Sequence, residues 1–284
     1  MKYDDKSVIA IFDSGFGGIS VLNNLLTMLP DENYLYFADS SNFPYGTKSK
    51  DKLIQIGDTA LSRIYKYNPK SIVIACNTMS TSNMAHFKEK FSDTHIVGTY
   101  PSFYHILKHG LKIMEKDIRY DKDSGISVNN ERLKVLIICT TATSKSSFMT
   151  NMLKESKGII DVYVEPADFI ARAVEKNETD SFYFKNELES LFKGYKDIDH
   201  LVLGCTHFPF VTDKIREILG YNVNITSSCE VSAKESFDYI VKNNLMYKSE
   251  KPYIRIIDDN ICDDRKKLYN TLIKNSSIKN IIFN

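Results

Sequence analysis

Leu201-Val202-Leu203-Gly204-Cys205-Thr206-His207-Phe208-Pro209 is an apolar run that ends in a small residue, continues through a thiol, a hydroxyl and an imidazole, and is closed by proline. Ile72-Val73-Ile74-Ala75-Cys76-Asn77-Thr78 has the same grammar. A short continuous apolar run bounded by turn-forming residues suits a strand covered on both faces, as in a parallel sheet. Each such strand would present a cysteine at its carboxyl end, followed by small hydrogen-bonding residues. A chain that does this twice suggests two thiols facing one another across a site.

Working outward from these stretches, strands and helices alternate. Val8 to Phe12 reads as a strand, followed by the turn Asp13-Ser14-Gly15-Phe16-Gly17-Gly18 and a helical pattern through Leu29. Strands at Tyr34 to Ala38, Ser71 to Ala75 and His95 to Gly98 alternate with helices at Asp51 to Tyr67, Thr78 to Phe91 and Ser102 to Lys116. After a polar stretch, Arg119 to Arg132, read as a loop or short hairpin, the alternation restarts. Strands are expected at Leu133 to Ile138, Ile159 to Val164 and Leu201 to Gly204, with helices at Thr143 to Glu155, Phe169 to Glu175 and Phe182 to Phe192. The tail adds strands at Tyr221 to Thr226, Tyr253 to Ile257 and Ile278 to Phe283. This is an α/β chain with mainly parallel sheets flanked by helices. The turn after the first strand lies about as far ahead of Cys76 as Thr140 lies ahead of Cys205, so an internal repeat and two pseudo-symmetric domains are expected. The boundaries expected are 1–100 with 212–284 for the first domain and 101–211 for the second, with the site in the cleft between them.

Bulk properties exclude several classes. In 284 residues, 26% are charged and 43% hydrophobic, as in an ordinary globular chain. The net charge of +1 gives no global field for nucleic acid or an anionic membrane surface. No apolar run reaches the ~18 residues a membrane span needs, and Met1-Lys2-Tyr3-Asp4-Asp5-Lys6 is too polar for a signal peptide. A cytoplasmic protein is expected. Five widely spaced cysteines without a Cys-x-x-Cys pair argue against a disulfide scaffold or a zinc ribbon.

Ligands of open α/β sheets sit beyond the carboxyl ends of the strands. Asp13-Ser14, Cys76-Asn77-Thr78, Thr140 to Thr143 and Cys205-Thr206-His207 end there, offering two thiols, a carboxylate, an imidazole and many hydroxyls. Gly15-Phe16-Gly17-Gly18-Ile19-Ser20 approaches the dinucleotide fingerprint, but Ser20 stands where the third glycine belongs. A tight turn whose free amides could hold an anion explains these glycines without a cofactor. Cys205 and His207 lack a second clustered pair for a metal, so neither cofactor nor metal is expected. Two thiols flanking one carbon make a two-base machine. A thiol is only roughly 3% thiolate at neutral pH without help. The helix start after Cys76, Asp13 and His207 could supply that help.

Asp13-Ser14-Gly15-x-Gly17-Gly18, Pro44-Tyr45-Gly46-x-Lys48, Ala75-Cys76-Asn77-Thr78 and Gly204-Cys205-Thr206-His207-Phe208-Pro209 together resemble the glutamate racemase family, in its order and at compatible spacing. The resemblance covers nearly the whole chain. It implies a cofactor-independent enzyme that interconverts L- and D-glutamate and supplies D-glutamate for peptidoglycan. It implies that Cys76 takes the α-proton from the D-enantiomer and Cys205 from the L-enantiomer, assisted by Asp13 and His207. By the same resemblance Ser14, Tyr45, Gly46, Asn77, Thr78 and Thr206 contact substrate, Thr143 falls near a threonine that binds its side-chain carboxylate, and the oligomeric state stays open between a single copy and a homodimer.

The chain also departs from that pattern. Phe16 replaces a smaller residue, Phe208 a usual Tyr, and Thr226-Ser227-Ser228 a common Asp-Ser-Ala. Pro166-Ala167-Asp168-Phe169 lacks the family's Cys-Pro, so the alignment of an assisting glutamate with Glu175 is not fixed by motif. Asp39 matches a family carboxylate but equally suits a turn. Cys139, Cys229 and Cys262 are read as structural, and His86, His95, His105, His109 and His200 receive no role.

Overall fold

A computed structural model describes residues 7–104, 106–108, 110, 111, 118–121, 125–128, 132–274 and 277–284. His105 and His109 lie outside the described residues. Six strands form the first sheet: β1 (Val8–Asp13), β2 (Tyr34–Ala38), β3 (Pro69–Ile74), β4 (His95–Gly98), β11 (Tyr253–Asp258) and β12 (Asn280–Phe283). They run in the order β12-β11-β2-β1-β3-β4, and every pairing is parallel. Side chains alternate across a strand. Ile9 and Ile11 of β1 therefore enter one core, with α1 (Ile19–Met28) and α9 (Ser228–Lys242), while Val8, Ala10 and Phe12 enter the other, with α2 (Lys50–Tyr65) and α3 (Asn77–Lys90). Because both faces are covered, the strand reads as an unbroken apolar run.

The second sheet has the order β10-β9-β7-β8, also all parallel, from β7 (Lys134–Cys139), β8 (Asp161–Pro166), β9 (His200–Gly204) and β10 (Asn224–Ser227). Its order β8-β7-β9 repeats β2-β1-β3, with a cysteine just beyond β3 and β9 alike. The antiparallel pair β5 (Ile118–Asp121) and β6 (Gly125–Val128) accounts for part of the polar stretch 119–132; residues 122–124 and 129–131 lie outside the described set.

One boundary moves. The tail from residue 212 was expected with the first domain, yet β10 pairs along β9, Ile225 opposite Leu201 and Thr226 opposite Val202. The helix α8 (Thr212–Leu219) is the crossover of a β-α-β unit, which sets the next parallel strand beside the one it left. The chain therefore returns to the first sheet only with α9. The helix expected from Thr143 to Glu155 is two, α4 (Thr141–Ser144) and α5 (Ser147–Ser156), because the Ser146 hydroxyl accepts the Met149 N–H and caps a second start. Between β8 and β9 lie α6 (Asp168–Glu175) and α7 (Phe182–Phe192), and α10 (Asp263–Leu272) follows β11.

Candidate functional site

The carboxyl ends of β1, β3, β7 and β9 meet at a cleft of about 520 Å³. Of the residues singled out in the sequence, Ser14, Tyr45, Gly46, Cys76, Asn77, Thr78, Cys205, Thr206 and His207 line it. Asp13 and Thr143 are fully buried and stand behind it. Thr143 instead shares a hydroxyl cluster: Thr78 Oγ1 lies 3.0 Å from Thr140 Oγ1, which is 3.0 Å from Thr143 Oγ1. Thr140 and Thr141 line the cleft, so the hydroxyls facing it come from the start of α4. Asn77 is fixed from the side by Ser228, to whose Oγ it donates at 3.2 Å. Ser227 caps α9 by accepting the Cys229 N–H at 3.2 Å. The departure at Thr226-Ser227-Ser228 is thus a helix cap plus a brace for Asn77.

The two thiols have unlike surroundings. Cys76 ends the residue run into α3, and burial, then the charge of Asp13, pushes its thiol well above the ordinary range. The Met79 N–H and the Ser14 hydroxyl pull the other way without offsetting this. Cys205 Sγ lies 3.7 Å from His207 Nδ1, and His207 Nε2 lies 2.8 Å from Glu175 Oε1. Burial alone would lower His207. Its hydrogen bonds to Cys205 and Glu175, and their charges, outweigh that and raise it well above its usual value. Asp13 accepts the Gly15 N–H at 3.1 Å and the Thr206 hydroxyl at 3.3 Å. Burial pushes it from 3.8 up to about 6, against the opposing pull of His207.

The glycine turn before α1 holds an anion that belongs to the chain itself. Glu175 Oε1 accepts the Phe16 N–H at 2.5 Å. A Cβ on Gly15 would lie 2.0 Å from that oxygen, and one on Gly17 would lie 2.5 Å from His207 Nδ1. Bare backbone is needed at both positions because a carboxylate and an imidazole press against it. Glu175 is therefore a site residue that motif reading alone did not secure. Its signal was the turn, whose free amides could hold an anion. Asp39 accepts the Tyr45 hydroxyl at 2.6 Å and pins it at the cleft wall. Phe43, Asp168, Arg172 and Glu187 also line the cleft and were not anticipated. Asp168 is held by the N–H and hydroxyl of Thr141, and a Cβ on Gly46 would meet it at 2.9 Å.

Elsewhere, Cys139 and Cys229 are buried, and Cys262 is exposed. His86 pairs with Asp58, and His95 stacks on Tyr239. Among the described residues no three His, Cys, Asp or Glu side chains gather as a metal site, and no helix is long and apolar enough to cross a membrane.

No family model matches the chain. Glutamate racemase of Clostridium perfringens (strain ATCC 13124) is 31% identical over 254 residues, covering 88% of this chain and 90% of that protein. Glutamate racemase of Campylobacter curvus is 32% identical over 84% of this chain and 85% of its own. Among solved structures, glutamate racemase isoform RacE1 of Bacillus anthracis superposes with a TM-score of 0.79 at 23% identity, over 99% of this chain and 97% of that one. That likeness shows the two-sheet α/β fold. The sequence relatives carry the further step: at this identity and coverage, the chain belongs to the glutamate racemase family of amino-acid racemases.

Proposed function

We propose that the protein interconverts L- and D-glutamate by proton transfer between Cys76 and Cys205, without a cofactor, and supplies D-glutamate for peptidoglycan. The observation that carries this reading is that two cysteines, each just past a strand of a different sheet, line one cleft. The Cys205 thiolate takes the α-proton of L-glutamate, leaving the bonding pair on the α-carbon. The Cys76 thiol then donates its proton to the opposite face, giving D-glutamate and a Cys76 thiolate. The reverse direction uses the same steps backwards.

The unlike thiols suit these resting roles. Cys205 has the His207 imidazole beside its sulfur as a proton partner, whereas burial and Asp13 keep Cys76 a thiol, ready to donate. For the reverse direction, the substrate's own ammonium, placed beside Asp13 and Ser14, brings the cation that the Cys76 side lacks. Charge developing on the α-carboxylate meets fixed donors, the Asn77 side-chain amide and backbone amides, each worth ~3 kcal/mol in the transition state. Gly46 and Thr140 form the wall suited to the side-chain carboxylate.

Enantiomers have equal free energy, so kcat/KM must be the same in both directions for any variant. Cys76→Ala and Cys205→Ala are therefore each expected to lose at least ~10³-fold in both directions, followed by circular dichroism from either enantiomer. Activity that survives loss of either thiol would remove the mechanism. Turnover of aspartate but not glutamate would remove the substrate assignment.

A further inference from the structure

Arg265 lies on α10, in the charged run Asp263-Asp264-Arg265-Lys266-Lys267, which reads in sequence as a solvated helix face. Its side chain is instead half-buried, with 19% of it exposed. It is held from three sides. Its Nε donates to Asp258 Oδ2 at 2.8 Å, Nη1 lies 3.4 Å from Glu175 Oε2, and the group sits 4.1 Å over the Phe16 ring centre. Asp258 is itself buried and accepts the Tyr269 hydroxyl at 2.8 Å, so the guanidinium cannot swing freely. Phe16, a departure from the family pattern, is the ring on which Arg265 rests.

The arrangement continues without a gap to a reacting sulfur. Arg265 meets one oxygen of Glu175, the other oxygen of Glu175 meets His207 Nε2, and His207 Nδ1 meets Cys205. We propose that Arg265 is a positioning residue for the Cys205 half of the site: it fixes the Glu175 carboxylate so that Glu175 holds the His207 ring against the Cys205 sulfur. This rests on the two-thiol reading above and deepens it, because it gives one thiol a supporting chain that the other lacks. The charged groups facing this chain are Asp258 and Tyr269 around Arg265, and Asp13 beside His207. A planar fork that grips one carboxylate through Nε and reaches a second through Nη1 is a task for arginine. Lysine keeps the charge but cannot span both partners in fixed geometry.

Without Arg265 the Glu175 carboxylate loses its anchor, and His207 loses the fixed partner that aims its ring at the Cys205 sulfur. The reactivity of Cys205 falls, while Cys76, with Asp13, Ser14 and the Met79 N–H around it, is untouched.

The test is site-resolved alkylation of the intact protein by iodoacetamide at pH 7.5, read by mass spectrometry at Cys76 and Cys205 in the parent, Arg265→Met and Arg265→Lys. Arg265→Gln repeats the neutral arm should the Met variant not fold. The expected result is Cys205 labelling about tenfold slower in the neutral variants, Cys76 labelling within about twofold of the parent, and partial recovery in Arg265→Lys. kcat/KM for both enantiomers should fall by a similar factor. Labelling of Cys205 at the parent rate, or both thiols shifting together as a general loosening would make them, overturns the proposal. Labelling requires no turnover, so this arm reports on Arg265 even if glutamate proved not to be the substrate.

Discussion

Asp13 has no exposed surface, and burial lifts its carboxyl from 3.8 to about 6. Between those values the native state holds a proton that the unfolded chain has released, so stability declines as pH rises through that window. His207 is also raised, so the stability from its charge is complete below its ordinary 6.5 and is lost as pH climbs through the folded value. The two groups act in the same direction over adjacent ranges. Replacing Asp13 by Asn removes the first penalty, which is on the order of 2–3 kcal/mol above pH 6. Asp13→Asn is therefore expected to melt above the parent at pH 7.5, with the gap closing as pH falls toward about 4, while racemisation drops. Thermal melts at the two pH values check this.

Among the elements, β3 carries chemistry at one end and an anchor at the other. At its carboxyl end stands Cys76. Near its start Lys70 Nζ pairs with Glu32 Oε2 at 2.5 Å, both side chains nearly inaccessible. Lys70 also donates to Leu245 O at 3.1 Å, and Glu32 Oε1 accepts the Tyr247 N–H at 2.6 Å, which ties residues 245–247 to the sheet. Removing one partner strands a buried charge, at a cost of about 3–5 kcal/mol. Lys70→Met should therefore lower the denaturant midpoint by that equivalent. Lys70→Met with Glu32→Gln should recover most of the loss, and kcat should remain at the parent value in both. A single variant as stable as the parent would show that the pair carries no such load.

Across the whole molecule, the residues that sequence alone could reach were those whose role is written locally. The strands before Cys76 and Cys205 were legible because a strand covered on both faces reads as a continuous apolar run. Tyr45 and Asn77 came with their motifs. The placement of β10 was not legible, since which sheet a strand joins depends on the crossover through α8 and not on the strand's own residues. Nor was the chain from Arg265 to Glu175, 90 residues apart, because a half-buried arginine in a charged run looks like any solvated one. The Phe16 and Thr226-Ser227-Ser228 departures became readable only once Arg265 and Asn77 were seen beside them. Thr143 is buried while Thr140 and Thr141 line the cleft, a difference the sequence does not show because the three threonines of this short turn are chemically interchangeable there.

The two sheets bring one thiol each to the cleft, and in the proposed mechanism these act on opposite faces of a single carbon. Isotope placement tests it most directly. L-glutamate is converted in D2O to low extent, and the two enantiomers are separated and examined by NMR. The expected result is deuterium at the α-carbon of the D-glutamate formed, while the remaining L-glutamate keeps its protium. Substrate protium carried into the product, or deuterium appearing equally in both pools, would mean one base serving both faces and would contradict it.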